Sequence, residues 1–525
     1  MRRGQGIGFV LRSDDPDRPA EPSQDDRGNA GDGSRAPRFL RLSHHQHRET
    51  GRCFELVERP HPVVDLIPFF EQHGRLFVLG RQGYPRPLLH AAHHGRPGQP
   101  GGEASADFPW SSPNLDGARV AGYLTEPLTA MLSDAAELST QDEIPAALQH
   151  SLAALWRTRV GLPERWIQRT LPGLRYFTSP GGLNERVSSV FIELAFSVED
   201  LGKDGLPVLP DTAPNSTRFA GAGRVRPLLA TQLLRAAQVG GLLDARLELN
   251  AYELLQRDRP PLLSTGSSIT PTVDKLPLAA RLGPWIGAEI ALRVQARSAS
   301  VDRALLRAES EPQPDDDIQA VLRPQARAVF APTEASAASA QQHRASFLRI
   351  ERLHIAEHAA DGQIVARDQL ECALPGPTSC NTLSVFPVLR VGPTPDDVFV
   401  GIEGRDLPAP QAFSGSSRFA TNPAWRLPRT IADLTAAEAW LSLQLRLQFG
   451  LRTLRSWPLG GKYYPAVGAT PEQVYPLLAE VDAGSVADSS LSFIPLRELW
   501  RRRALIEDGH LRIGLWRLVH ALSVL

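Results

Sequence analysis

Tyr176-Phe177-Thr178-Ser179-Pro180-Gly181-Gly182-Leu183-Asn184-Glu185 is the stretch that decides the fold, because it returns as Tyr463-Tyr464-Pro465-Ala466-Val467-Gly468-Ala469-Thr470-Pro471-Glu472. An aromatic pair, a turn rich in Pro and Gly, and a closing glutamate keep their order in both. Each stretch runs into a short apolar, β-branched segment, Val187 to Leu194 and Val474 to Val481, and that composition predicts strands.

Working outward, the match extends in both directions. Upstream, residues 144–160 place Leu148, Leu152, Leu155 and Trp156 on one face of a helix, with Pro145 near its start and Gly161 just past its end. Its counterpart opens with the capping-box pattern Thr435-Ala-Ala-Glu438 and ends at Gly450. Further back, Phe39-Leu-Arg-Leu42 recurs as Phe347-Leu-Arg-Ile350, and Val63 to Phe69 as Leu383 to Leu389, each of the latter pair with an internal proline. Arg75 to Leu79 recurs as Val398 to Ile402, again with strand composition. Downstream, Asp244-Ala-Arg-Leu-Glu-Leu249 echoes Asp508-Gly-His-Leu-Arg-Ile513. So many matches in one order predict an internal duplication.

The remainder divides accordingly. Residues 1–36 are polar and rich in Asp, Arg, Gly and Pro, and read as a disordered leader without the apolar run of a signal peptide. Residues 37–255 form the first unit and 347–525 the second. Residues 256–346 read as a connector, partly helical and then flexible, and 207–223 as a long loop.

Composition bounds the function. The chain has 525 residues, 57 Lys+Arg against 58 Asp+Glu, and a net charge of −1, which supplies no electrostatic footprint for nucleic acid or an anionic membrane. No apolar run reaches transmembrane length. Cys53, Cys372 and Cys380 are too few and scattered for a disulfide framework or a four-cysteine zinc site, so a cytoplasmic setting is expected. Only Lys203, Lys275 and Lys462 are lysines, a usage that matches the coding bias of a GC-rich bacterium.

The order strand, strand, helix ending Gly-Leu, strand, Ser-Pro-Gly-x-x-x-Glu loop, strand, helix resembles the Nudix hydrolase family, nearest to its ADP-ribose and nucleotide-sugar pyrophosphatase branch. The resemblance covers about residues 39–255 and, more weakly, 347–525. It implies an α/β fold of two tandem Nudix-like α/β/α sandwich domains with mixed sheets, paired with each other or between chains.

The family's signature, G-x5-E-x7-R-E-U-x-E-E-x-G-U, holds Mg²⁺ on glutamates against a diphosphate, because that ion demands hard oxygen ligands. Anchored on Gly161, those positions fall on Ala154, Leu155, Thr158 and Arg159; anchored on Gly450, on Leu443, Gln444, Leu447 and Gln448. No carboxylate remains in either. Arg159 would oppose a cation outright, since like unit charges about 4 Å apart repel by roughly 4 kcal/mol at an effective dielectric of about 20.

Other family features persist in the first repeat. Arg81-Gln82 resembles the Arg-Gln that contacts nucleotide, and the Ser179, Pro180, Gly181, Gly182 loop with Glu185 resembles the loop carrying the general base. Glu137-Leu138 resembles the start of the Glu-Leu-Pro-Ala-Gly segment. In the second repeat Tyr463, Gly468 and Glu472 hold comparable positions, and Glu403 replaces the arginine. His44-His45-x-His47, with Glu49 and Cys53 nearby, and His90-x-x-His93-His94 lie in polar or Gly/Pro-rich sequence and read as loop histidines more than zinc ligands. Arg501-Arg502-Arg503 reads as a solvated face.

The reading is a tandem, catalytically degenerate Nudix-fold protein that binds a nucleotide-like ligand, ADP-ribose or a nucleotide sugar, or else a protein partner. The ligand would meet Arg81, Gln82 and residues 179–182, with no cofactor. The alternative is an active hydrolase of a nucleoside diphosphate linked to another moiety, with Glu137, Glu143 and Glu185 holding Mg²⁺ and Glu185 as base. A third is a scaffold in which one repeat stabilises the other.

Overall fold

Alternation along Val63–Gln72 builds the first sheet: Val63, Ile67 and Phe69 face one core while Val64, Leu66 and Phe70 face another. The structure is a computed structural model and describes residues 8–13, 40–59, 62–83, 124–131, 152, 155–209, 225–240, 244–257, 322, 330–332, 347–358, 364–375, 378–392, 397–414, 417–428, 430–431 and 433–524. It is mixed α/β and mostly strand.

The first sheet has seven strands in the order Val225–Leu229, Arg75–Gly83, Val63–Gln72, Arg186–Leu194, Ile167–Phe177, with Leu124–Glu126 beside the second of these and Leu128–Met131 beside the third. Val63–Gln72 and Arg186–Leu194 run parallel, and the other neighbours are antiparallel. The second sheet, also seven-stranded, reproduces every one of these pairings. Asn381–Arg390 runs parallel to Gln473–Val481, which pairs on its far side with Thr453–Pro458. Val398–Asp406 takes Arg418–Thr421 and Ser492–Pro495, and Ala424–Arg426 lies against Asn381–Arg390.

The duplicated prolines explain themselves here. Val63 to Leu66 pair with Met131 to Leu128, and Phe69 to Gln72 with Val78 to Arg75, so Pro68 falls in the gap between two partners on that side. Pro387 falls in the matching gap, between Thr382–Ser384 and Val388–Arg390. A residue with no N–H is tolerated in a central strand only where no ladder bond is owed.

Helices follow the sequence pattern with two adjustments. In the first repeat Leu152 and Leu155 are helical, Trp156–Val160 closes as a π-helical turn, and Gly161 caps it at φ 72°. In the second the helix is Leu434–Phe449, ending at Gly450 with φ 70°. Its N-cap is Asp433, whose carboxylate accepts from the Ala436 amide at 2.8 Å, and not Thr435, which lies inside the first turn. An aspartate in extended conformation satisfies an orphan amide two residues earlier than the expected threonine would.

The two sheets share one core. Ala230–Gln238, Ala245–Arg257, Leu496–Arg501 and Gly509–Val524 lie between them, and one buried cluster contains residues of both repeats. The contacts are reciprocal, as a pseudo-two-fold requires. The Ala245 amide donates to the Tyr464 carbonyl at 3.1 Å, and the Phe177 amide to Glu507 at 2.7 Å. Glu55 accepts from the Leu348 amide at 2.6 Å, and Glu371 from the Leu40 amide at 2.7 Å. Tyr252 stacks on Trp516, centroids 5.1 Å apart. A Cβ on Gly461 would lie 2.1 Å from the Gly240 nitrogen, so the two backbones touch there.

Within the stretch read as a leader, Gly8–Ser13 forms a strand that pairs with Leu348–His358 of the second repeat. Its run Phe9-Val10-Leu11 supplies strand composition. Phe330–Pro332, from the connector, pairs with Arg41–His47 in the same manner. The rest of the connector's flexible end, and residues 210–223 of the long loop, fall outside the described residues. Among those described, no helix is long and apolar enough to cross a membrane.

Candidate functional site

The Ser179–Gly182 turn is anchored before it reaches the site. Gly182 and Leu183 donate to the Ser179 carbonyl at 3.1 and 2.8 Å, and the Val57 amide donates to the Gly182 carbonyl at 2.9 Å. Leu183–Asn184 then runs parallel to Cys53–Glu58, which ties the turn to the hairpin of its own repeat. From that base it crosses to the second repeat, where Ser179 Oγ donates to Glu472 at 2.9 Å.

Between turn, hairpin and second sheet lies a cavity of about 420 Å³, within the range of small-molecule and cofactor sites. Thr382, Thr421, Trp425 and Arg426 of the second sheet line it from below, together with Glu472, Asp508 and His510. His44, Arg52, Phe54 and Glu55 of the first hairpin, Phe347 and Arg405 complete the walls.

Its carboxylates are already engaged. Glu472 accepts from Thr382 Oγ1 at 2.6 Å as well as from Ser179. Burial pushes its carboxyl up, but Arg426, His510 and the two hydroxyls outweigh burial and hold it below the usual carboxylate range. Asp508 accepts from Thr421 and from the amides of His510 and Leu511, capping the closing helix. Glu55 holds the Leu348 amide and lies 3.8 Å from His44.

The arginines are differently placed. Arg426 lies over the Phe347 ring at 5.5 Å, and its buried Nη1 makes no hydrogen bond within the described residues. Arg52 lies over Phe54 at 5.1 Å, and Arg405 approaches Glu403 at 3.6 Å. Spoken-for carboxylates, available guanidinium donors and aromatic walls suit a flat ligand carrying negative charge.

No family model matches the chain, and no curated protein matches it. The site therefore has to be read from its own geometry, and the first repeat supplies the comparison. Register places Asp65 where the second repeat has Ser384, Glu126 for Thr421, Asp244 for Asp508, Arg246 for His510 and Glu185 for Glu472. Those residues fill the matching position with ion pairs. Arg246 lies 3.4 Å from Asp65 and 3.7 Å from Asp244, and Arg81 lies 3.0 Å from Glu126. Burial raises Asp65, and pushes the Asp244 carboxyl up to about 7 although Arg246 pulls the other way.

The residues singled out by sequence separate accordingly. Ser179, Pro180, Gly181 and Gly182 all line the cavity. Glu185, expected as general base, does not; it is buried in the first repeat, paired with Arg59 and accepting from Thr178 at 3.3 Å. Arg81, expected at the ligand, belongs to the ion cluster with Glu126. Gln82 lies in the strand opposite Thr125, its side chain outside the described residues, as are those of Thr158 and Arg159. Glu137, Glu143, His90, His93 and His94 also fall outside them. His44 and the exposed Cys53 line the cavity; Cys372 and Cys380 are buried.

At the positions where the resemblance would put Mg²⁺ ligands, the second repeat has Leu443 and Leu447, both exposed, with Gln444 and Gln448. Two leucines and two neutral amides do not fit a hard cation. Among the described residues, no three His, Cys, Asp or Glu side chains gather as metal ligands. Sequence reading did not single out Arg426 and Thr382, which line the cavity. Ala424–Arg426 is a strand of three residues, too short to carry a periodic signal.

Proposed function

We propose that this chain is a tandem, catalytically degenerate Nudix-fold protein that binds a nucleotide-like ligand, ADP-ribose or a nucleotide sugar, in the cavity between its repeats. The observation that carries the reading is the cavity itself. It is roofed by the Ser179–Gly182 turn, walled by Arg52, Arg405 and Arg426, and faced with Phe54 and Phe347. Guanidinium forks match phosphate oxygens, and the aromatic rings offer faces to a base. The repeated strand pairing and the missing box carboxylates support the family and the loss of catalysis, respectively.

Because the walls come from both repeats, ligand should stabilise the whole chain rather than one half. In chelator, ADP-ribose or a nucleotide sugar at about 100 times its Kd should add roughly 2.7 kcal/mol, which thermal denaturation detects. Arg426→Ala should remove most of that gain. A nucleotide panel that produces no shift would leave a partner-binding scaffold as the reading; metal-dependent hydrolysis of ADP-ribose would restore the hydrolase.

A further inference from the structure

Glu472 differs from the other two carboxylates of the cavity wall in being held by hydroxyls alone. Asp508 and Glu55 each accept from backbone amides. Glu472 takes Thr382 Oγ1 on Oε1 at 2.6 Å and Ser179 Oγ on Oε2 at 2.9 Å. Thr382, Ser179 and Glu472 all line the cavity. These two bonds do not exhaust the group. A carboxylate offers about four lone-pair sites, so each oxygen keeps acceptor capacity that no described residue uses. The counterpart in the first repeat spends that capacity internally: Glu185 accepts from Thr178 and is paired with Arg59, away from the cavity. Glu472 keeps the hydroxyl bonds, and among the described residues no ion pair takes the place of Arg59.

A buried anion with spare lone pairs calls for further donors. Arg426, His510 and the two hydroxyls keep Glu472 ionised against its burial, and an ionised carboxylate accepts without donating. It therefore repels phosphate and takes hydroxyls. Spare capacity on both oxygens of one planar group matches the two adjacent hydroxyls of a vicinal diol. Phosphate is left to the arginines, where Arg426 Nη1 is buried without a hydrogen bond among the described residues. A ribosyl phosphate carries both groups within one sugar unit.

We propose that Glu472 binds the vicinal diol of the ligand's ribose, one hydroxyl on each carboxylate oxygen, with the sugar's phosphate on Arg426. The glutamate of the second repeat's turn then serves as a hydroxyl acceptor that selects ribose. This inference deepens the nucleotide-binding reading above and rests on it, and the experiment separates the two.

Titration calorimetry of the full chain in chelator would use four probes: ADP-ribose, ribose 5-phosphate, 2-deoxyribose 5-phosphate, which has no vicinal diol, and pyrophosphate, which has no sugar. The parent chain should bind ribose 5-phosphate about tenfold tighter than the deoxy compound, because hydrogen bonds to a charged acceptor are the strong ones. Glu472→Gln keeps the shape of the side chain and its bonds to Thr382 and Ser179, since a hydroxyl both donates and accepts. It should abolish that preference and weaken ADP-ribose by about tenfold. Pyrophosphate should bind the variant as tightly or tighter, because a repelling charge has gone, and its binding excludes misfolding as the cause. If the parent shows no preference for ribose 5-phosphate, or Glu472→Gln retains it, the diol site is refuted while ADP-ribose binding by the parent stands. Equal weakening of ADP-ribose and pyrophosphate by Glu472→Gln refutes it too. A parent that prefers ribose 5-phosphate but binds no nucleotide refutes the nucleotide reading and keeps the diol site. A parent that binds none of the probes overturns both.

Discussion

Glu248→Leu tests whether the two repeats are fastened through their closing helices. Glu248 and Arg517 have no exposed side-chain surface, and the guanidinium makes two bonds to the carboxylate, of 2.7 and 2.8 Å. Arg517 also donates to the carbonyls of Leu459 and Gly461 at 3.0 and 2.6 Å and lies over Tyr463 at 5.4 Å. Burial opposes its charge, yet the Glu248 carboxylate more than compensates and raises its pKa. Removing the carboxylate leaves a buried cation with only carbonyl partners. Breaking a buried pair this way costs about 3–5 kcal/mol, whereas replacing both partners by apolar residues is often close to neutral. A unit of some 150–250 residues loses about 2–4 °C per kcal/mol, and the larger unit that a shared core makes loses less, so the melting temperature should fall by several degrees. Glu248→Leu/Arg517→Met should recover at least half of the loss. Urea unfolding followed by circular dichroism, with limited proteolysis at each concentration, is the assay. A single variant that costs under about 1 kcal/mol, or that exposes one repeat while the other stays protected, would refute the shared core. So would a double variant as unstable as the single one.

Two further outcomes follow from the same geometry. Burial raises Asp244 to about 7 from an ordinary 3.8, so between those values the folded chain retains a proton that the unfolded chain has lost, and this group's contribution falls as pH rises. Asp244→Asn, whose side chain can still accept from the Arg246 and Leu247 amides, should therefore flatten the decline in stability from pH 4 to 7 by up to about 1.4 kcal/mol per unit; an unchanged slope in urea titrations would contradict the assignment. Gly514 in the last helix lies under Phe386, whose ring carbon would be 1.7 Å from an added Cβ. Gly514→Ala should cost about 1–3 kcal/mol of overpacking despite alanine's better helix propensity, and a gain in melting temperature would show that this contact is wrong.

Local pattern carried the strands and helices, because each is written in a few consecutive residues. Val187 to Leu194 and Val474 to Val481 became Arg186–Leu194 and Gln473–Val481, nearly residue for residue. Gly161 and Gly450 ended their helices as expected, since left-handed caps favour glycine. The Ser179–Gly182 turn was legible as a turn in its own sequence. Its destination was not, because the Ser179–Glu472 bond spans 293 positions and depends on how two sheets face each other. The same dependence misdirected Arg81 and Glu185: a sequence shows their charges but not the buried partners, Glu126 and Arg59, that engage them. Asp508 was visible only as half of a repeated motif, and its service as a helix cap beside the cavity emerged with Thr421 and His510 in place.

The most direct test of a nucleotide cavity between the repeats is to fill it. Gly181 lines the cavity at an exposed position, and a Cβ built on it meets nothing within 4 Å, so Gly181→Phe sets a bulky ring at the cavity's edge without disturbing the turn. Calorimetry with ADP-ribose and a nucleotide sugar in chelator should show saturable binding to the parent chain and none to Gly181→Phe, with unliganded melting temperatures that agree. Equal affinity in the two proteins would place the ligand elsewhere, and no binding to the parent across a nucleotide panel would contradict the account itself.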